Sequence, residues 1–152
     1  DQISMGNFMS NHQVLKKPYG FLKLIELMID MVSFILICLI PVGAGNGNLH
    51  VDYLVATTFC VGMIISAGIL LTFLRGHMKL KETFLELVLL ILLSVMHLIT
   101  GILLLGIFIS EIPHEMDGVD VALCGTLSGA FGLVNSVTYV ADAVHAHKKS
   151  KT

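Results

Sequence analysis

Apolar residues along this chain fall into four long runs that are separated by short polar stretches. An α-helix needs about 20 residues to cross the hydrocarbon core of a bilayer, and each run is near or above that length. The pattern therefore predicts an all-α integral membrane four-helix bundle with spans at about residues 21–42, 53–74, 84–110 and 121–145.

Composition favours a membrane protein over a soluble bundle. The 152 residues are 55% hydrophobic and 13% charged, and their mean hydropathy is +0.87. A typical soluble domain has about 25% charged residues. We expect a single membrane domain over residues 1–152, in which short tails at 1–17 and 146–152 flank the four spans.

The basic residues predict which side of the membrane each loop occupies. Eight of the nine lie before the first span, between the second and third, or after the fourth, and the ninth, Lys23, lies at the start of the first span. By the positive-inside rule, both termini and the middle loop are cytoplasmic. The two outer loops, "GAGNGNLHVD" and "EIPHEMDGVD", contain no basic residue and are too short for a folded ectodomain. The pattern leaves open whether the membrane is the plasma membrane, an endomembrane or a vesicle.

The sequence shows no catalytic signature. It has no nucleophile with a neighbouring base, no CxxC or HExxH motif and no phosphate-binding glycine loop. His145 and His147 could bind a metal near the chain end, but such a pair is more often a solvated tail. We expect no enzyme activity, no catalytic residue, no cofactor and no metal. The expected partners are membrane lipids and other integral membrane proteins or a second copy, and not nucleic acid.

Small and polar residues form a narrow stripe on the fourth span. Alternating spacings of three and four place six of them on one helical face: Gly125, Ser128, Gly132, Asn135, Tyr139 and Asp142. Small residues let helix backbones approach closely in a membrane, and polar residues add interhelical hydrogen bonds. This face either packs within the bundle or receives another membrane protein. Its candidate residues are Gly125, Ser128, Gly129, Gly132, Ser136 and Tyr139 in the fourth span, with Gly62 and Ser66 in the second.

Ionisable residues inside the spans form two predicted layers. At about 1.5 Å of rise per residue, Asp30, His97 and Asn135 lie near the midplane. The inner leaflet would hold four charged residues: Lys23, Glu26, Glu86 and Asp142. Charges embedded in a membrane usually face the bundle interior or a partner. The layers are either a hydrogen-bonded clasp, in which Lys23 pairs with Glu26 and Asp30 bonds His97 or Asn135, or a proton or cation path.

The first and last spans carry a family resemblance over residues 18–149. The first reads "YGFLKLIELMIDMVSFIL" and has Leu22 four residues before Glu26; the last closes with "SVTYVADAVHAHKK" and has Tyr139 three residues before Asp142. With four spans, short loops and both ends inside, the chain resembles the MARVEL-type tetraspan proteins. These include myelin-and-lymphocyte proteins, physins and small arthropod septate-junction tetraspans.

The resemblance implies a non-enzymatic role in membrane apposition, vesicle trafficking or junction organisation, in association with other membrane proteins. Three functions are therefore open. The first is a MARVEL-like organiser or accessory subunit that binds partners through its small and polar helix faces. The second is a small proton- or cation-conducting channel or transporter subunit that uses Asp30 and His97. The third is a lipid-binding, membrane-shaping protein.

Overall fold

Four helices account for most of the chain. The computed structural model describes residues 18–41, 49–74, 84–110, 115–116 and 119–150. Over these residues, the predicted all-α class with four helices is confirmed, with one addition, a two-stranded antiparallel hairpin before the last helix. The elements are α1 (Pro18–Cys38), α2 (Leu49–Leu74), α3 (Phe84–Ser110), β1 (Glu115–Met116), β2 (Val119–Asp120) and α4 (Val121–Ser150).

Three of the helices are long and apolar enough to cross a membrane. They are the segments His50–Leu74, Phe84–Ile109 and Val121–Lys148, with mean hydropathies of 2.3, 2.7 and 1.4. Helix α1 is also long enough to cross a membrane, but it differs from these three in composition. Its 21 residues span about 30 Å, but they include Lys23, Glu26 and Asp30.

The helix ends differ from the predicted spans where local signals act. Helix α1 stops at Cys38, four residues before the predicted end, because Pro41 cannot continue a helix. Helix α2 begins at Leu49, directly after a run of Gly and Asn, and Asp52 in its first turn suits the positive end of the helix dipole. Helix α4 extends five residues past the predicted end, to Ser150. The bounds of α3 are those predicted.

The start of α4 is fixed by a side-chain cap. The backbone N–H of Leu123 donates to Asp120 Oδ1 at 2.9 Å. An Asp in this position satisfies one of the N–H groups that a helix leaves open at its first turn. The cap ties the helix directly to β2, which ends at Asp120.

The helices pack as neighbours around a square. Helix α1 lies against α2 and α4, and α3 lies mainly against α4, whereas α2 and α3 form the smallest of the four interfaces between neighbours. Helix α4 runs antiparallel to α1 and to α3, since residues earlier in one helix contact residues later in the other. The pairs that show this are Lys23–Asp142 with Ser33–Ser128 for α1 and α4, and Ser94–Ser136 with Phe108–Gly125 for α3 and α4.

Glycines allow α3 and α4 to approach each other closely. A Cβ added to Gly101 would lie 2.9 Å from the carbonyl oxygen of Gly129, and one added to Gly132 would lie 3.3 Å from the Cα of Gly101. A side chain at Gly101 would push the backbones apart, whereas one at Gly132 would require its neighbours to shift by a few tenths of an ångström. Gly125 is covered by the ring of Phe108 in the same way.

The interior of the bundle contains many polar groups beside its apolar clusters, and its outer surface is apolar. Fully or almost fully buried side chains include charged and amide groups, whereas Leu, Ile, Val, Met and Phe dominate the exposed helix positions. A soluble bundle shows the opposite arrangement. Polar groups that face one another inside an apolar shell are typical of helices that lie in lipid.

Candidate functional site

Asp30 on α1 lies at the centre of a buried hydrogen-bond network. Asn135 Nδ2 donates to Asp30 Oδ1 at 2.7 Å, and His97 Nε2 lies 2.7 Å from the same oxygen. The hydroxyl of Tyr139 donates to Asp30 Oδ2 at 2.8 Å. All four side chains are fully buried. These four residues, here called the Asp30 network, join α1 to α3 and α4.

The contact that the sequence predicted for Asp30 is present, and it is made with both candidate partners. Asp30 points into the bundle and contacts His97 on α3 and Asn135 on α4. Helix α2 makes no hydrogen bond to Asp30 among the described residues, but it leaves room for the carboxylate at Gly62. A Cβ at Gly62 would collide with the carboxylate of Asp30 and would lie 2.9 Å from His97 Cε1. Gly62 is therefore the position that lets the Asp30 carboxylate fit against α2.

The hydrogen bonds of His97 define how the Asp30–His97 pair carries its proton. His97 Nδ1 lies 2.8 Å from the carbonyl oxygen of Leu93, which can only accept, so Nδ1 carries a hydrogen. Nε2 faces a carboxylate oxygen at 2.7 Å, and two lone pairs would repel at that distance. The pair therefore shares one proton, either as carboxylate with imidazolium or as carboxylic acid with neutral imidazole. In both forms its net charge is zero, which lowers the cost of burying it.

A second set of charges lies nearer the C-terminal end of α4. Lys23 Nζ lies 2.7 Å from Glu26 Oε2 and 2.8 Å from Asp142 Oδ2. All three side chains are almost fully buried. They are called the Lys23 cluster below. The predicted pairing of Lys23 with Glu26 is present, and Asp142 joins it from α4.

Ser66 on α2 and Tyr139 connect the two sets. Ser66 Oγ lies 3.0 Å from the hydroxyl of Tyr139 and 3.5 Å from Glu26 Oε2. Because Tyr139 gives its one proton to Asp30, the single hydroxyl proton of Ser66 is shared between the phenol oxygen and, at the longer distance, Glu26 Oε2. Lys23 Nζ also lies 5.6 Å from the centre of the Tyr139 ring. Polar contacts thus run without a break from Asp142 to His97.

Beyond Asp30, toward the end of the bundle that carries the hairpin, the polar contacts become isolated and then stop. Thr100 donates to Thr58 at 3.2 Å and Ser128 donates to the carbonyl oxygen of Ser33 at 3.4 Å. The next layer is an apolar cluster of buried side chains from three helices: Val55, Phe59, Leu104, Phe108 and Val121. Among the described residues, this layer offers no polar group that would extend the network.

The small-residue face predicted on the fourth span is used inside the bundle. Every one of its candidate positions on α4, and both positions on α2, is buried. Gly129 packs against Leu104 and Leu105 of α3, and Ser136 pairs with Ser94 at 3.2 Å. Glu86, the remaining candidate of the charged layer, is buried in the first turn of α3.

Sequence reasoning did not predict the bridging role of the Tyr139 hydroxyl, nor the fit of Asp30 against Gly62. A signal for the first was present, because Tyr139 is four residues after Asn135 on the same face, and a buried phenol usually finds a partner. For the second, the sequence marked Gly62 as a packing position but did not show that Asp30 would fill the space beside it.

The Asp30 network does not resemble a metal site, and no known protein indicates its role. Within the described segments, no group of three His, Cys, Asp or Glu side chains is placed to hold a metal ion. Comparison with family models, curated proteins and solved structures finds no match to the chain.

Proposed function

We propose that this protein is a non-enzymatic, MARVEL-like tetraspan that organises or accompanies other membrane proteins. In this proposal all four helices cross the membrane, with both termini in the cytoplasm. The support for the first crossing is that Lys23, Glu26 and Asp30, which lower the hydropathy of α1, are all fully buried. Lipid around α1 would meet only its apolar side chains.

The observation that carries the proposal is that the polar side chains are used within the bundle. The Asp30 network and the Lys23 cluster join the helices to one another, and the small-residue face of α4 is covered by α3 and α1. This arrangement suits a stable scaffold whose contacts with other molecules lie on its apolar outer surface. A partner would therefore bind by helix-to-helix packing and not by insertion into the interior.

Tagged full-length protein, extracted from its native membrane in mild detergent, tests this function. We expect integral membrane proteins to co-purify in stoichiometric amounts. One outward-facing residue on each helix would be changed to Trp, which would obstruct a partner helix packed on that face. The chosen residues are exposed and belong neither to the Asp30 network nor to the Lys23 cluster. The four variants are Ile35→Trp, Ile64→Trp, Ile102→Trp and Val137→Trp.

The expected result is that one or two of these variants lose the partner while their thermal stability stays that of the unmodified protein. Asp30→Asn, which changes only the interior, serves as the matched control and should retain the partner. If no membrane protein co-purifies above the level of an unrelated tetraspan, the organiser function is wrong.

A proton- or cation-conducting subunit is the second candidate. The observation that favours it is the unbroken series of polar contacts from Asp142 to His97. The apolar cluster of Val55, Phe59 and Leu104 beyond Asp30 opposes it, because a conducted ion would need polar groups or water there. Proton flux through the reconstituted protein separates the two candidates.

The third candidate, lipid binding through the small-residue faces, has less support. Gly125, Gly129 and Gly132 contact side chains or backbone of α3. A lipid would have to displace α3 to reach them.

A further inference from the structure

Two carboxylates share one ammonium group in the Lys23 cluster. Lys23 Nζ lies 2.7 Å from Glu26 Oε2 and 2.8 Å from Asp142 Oδ2. The side chains of Lys23 and Glu26 are completely buried, and that of Asp142 is 4% exposed. With all three groups ionised, the cluster would carry one uncompensated negative charge. A buried charge without a counter-charge is costly, because the protein interior solvates it far less well than water does.

The groups in contact with the cluster supply no second positive charge. On α1, Asp30 lies one turn after Glu26 and is paired with His97 of α3, so the pair is neutral. Helix α2 contributes the hydroxyl of Ser66, and α4 contributes the ring of Tyr139. None of these groups balances the second carboxylate.

Four further ionisable side chains are described at this end of the bundle, and none of them is placed to balance it either. Glu86 on α3 is acidic and would only add negative charge. His147 and Lys148 are exposed on the side of α4 that borders α3. His145, one turn after Asp142, forms no hydrogen bond or ion pair with the described residues.

Glu26 lacks the donors that an ionised carboxylate needs. Its Oε1 is buried and has no hydrogen-bond partner among the described residues. Its Oε2 accepts from Lys23 and receives only a share of the Ser66 proton, from 3.5 Å. An ionised carboxylate accepts hydrogen bonds at both oxygens. A carboxylic acid with its proton on Oε1 would still accept from Lys23 through Oε2.

We infer that Glu26 binds a proton in the folded protein at neutral pH, so that the Lys23 cluster is a neutral and pH-sensitive link between α1 and α4. The proton comes from solvent and forms an O–H bond at Oε1, while Lys23 keeps its charge opposite Asp142. As the pH rises the proton is lost, and the cluster gains a negative charge that weakens the link. The inference does not depend on the organiser function, and it requires no conduction, because a bound proton need not cross the apolar cluster at the other end of the bundle.

Infrared spectroscopy of the purified protein tests the proton directly, since a protonated carboxyl group has a C=O band of its own. At neutral pH, Glu26→Gln should remove the intensity of one such group. Asp142→Asn should remove the same intensity although Glu26 is still present, because Lys23 then has a single carboxylate to balance. Glu115→Gln, which changes a glutamate in the hairpin, is the matched control and should leave the band unchanged. Any band from the Asp30–His97 pair is common to all these proteins.

The bound proton also makes stability depend on pH. The folded protein holds one proton more than the unfolded chain, in which Glu26 ionises like any exposed glutamate. This contribution to stability is therefore complete in acid and is lost as the pH rises from the ordinary range of glutamate to the pH at which the folded cluster releases its proton. Within that range the unfolding equilibrium constant should rise by up to about tenfold per pH unit. Glu115→Gln should keep this dependence, and Glu26→Gln should lose it.

Three results would overturn the inference. The first is a carboxyl band that Glu26→Gln leaves at full intensity. The second is the same pH dependence of unfolding in Glu26→Gln as in the unmodified protein. The third is a band that Asp142→Asn leaves unchanged, which would show that charge balance does not hold the proton. If Glu26→Gln does not fold, the comparison of Asp142→Asn with Glu115→Gln decides alone.

Discussion

Asp30 receives hydrogen bonds from side chains of two other helices and fills the space that Gly62 leaves on the remaining one. Its carboxylate is completely buried, and the proton that it shares with His97 makes the pair neutral. At the residue scale, these contacts make Asp30 the point at which all four helices meet. Interhelical hydrogen bonds in membranes are worth about 0.6 kcal/mol on average, so their sum, and not one contact, determines the effect of a substitution.

We expect Asp30→Asn to be tolerated. The new amide can donate to His97 Nε2 and accept from Tyr139, and its second hydrogen can reach Asn135 if that amide turns over. Asn135 Oδ1 is free to accept, since it has no hydrogen-bond partner among the described residues. Asp30→Leu removes the carboxylate that three buried side chains share, and the loss of the three hydrogen bonds should cost about 2 kcal/mol. Unfolding of the purified protein in mixed detergent micelles measures both; equal destabilisation by the two substitutions would contradict this account.

Tyr139→Phe removes only the hydroxyl that links Asp30 to Ser66. The two hydrogen bonds together predict a loss of about 1 kcal/mol in the free energy of unfolding. Tyr53→Phe is the matched control, because Tyr53 is 64% exposed and should not affect stability. A Tyr139→Phe protein as stable as the control would show that the phenol bridge contributes nothing.

At the element scale, glycine spacing determines how closely the helices pack. The interface of α3 with α4 depends on Gly101, Gly129 and Gly132, where backbones lie too close for a larger residue. The interface of α1 with α2 depends on Gly62 alone among the α2 glycines, because Gly68 has open space beside it.

These two glycines of α2 provide a direct comparison. Gly62→Ala places a methyl group against the Asp30 carboxylate and should destabilise the bundle by about 1–3 kcal/mol. Gly68→Ala adds a methyl group where nothing lies within 4 Å, and the better helix propensity of Ala should leave stability unchanged or raise it slightly. The measurement is the thermal midpoint of each detergent-solubilised variant. If Gly68→Ala destabilises the protein more than Gly62→Ala does, the packing described for α2 is wrong.

The sequence predicts these elements well where the signal lies in one helix. The apolar run at residues 84–110 predicts both ends of α3 correctly, and helical spacing identifies the inward face of α4. A fixed rise per residue was sufficient to place Asp30, His97 and Asn135 at one level.

The remaining features depend on how the helices are rotated and how far each side chain reaches. The sequence of α2 marks Gly62 and Ser66 as a packing face, but because the helix is apolar on most sides it does not show that Asp30 fills the space beside Gly62. The reach of Lys23 to Asp142 likewise depends on the distance between α1 and α4, which is set by tertiary packing. Pro41 is a sequence signal for the end of α1, but the apolar run that predicts the first span continues past it to residue 42.

At the scale of the whole molecule, the proposed orientation rests on the basic residues, all nine of which lie at one predicted side. A protein without its native cysteines, carrying one new cysteine at a time, tests it with a thiol reagent that does not cross membranes. Asn46→Cys and Glu115→Cys should be labelled from outside intact cells or correctly oriented vesicles. Gly76→Cys and Ser150→Cys should be labelled only after permeabilisation. Labelling of Gly76→Cys from outside would invalidate the orientation.

The central claim is that the buried polar side chains join the helices into a closed scaffold and do not conduct. Its most direct test is proton flux into liposomes that contain the purified protein, driven by an inside-negative potassium diffusion potential and followed with an internal pH dye. The apolar layer beyond Asp30 predicts a rate equal to that of protein-free liposomes for both the unmodified protein and Asp30→Asn. A flux well above that rate which Asp30→Asn abolishes would contradict the claim and establish the conducting function in its place.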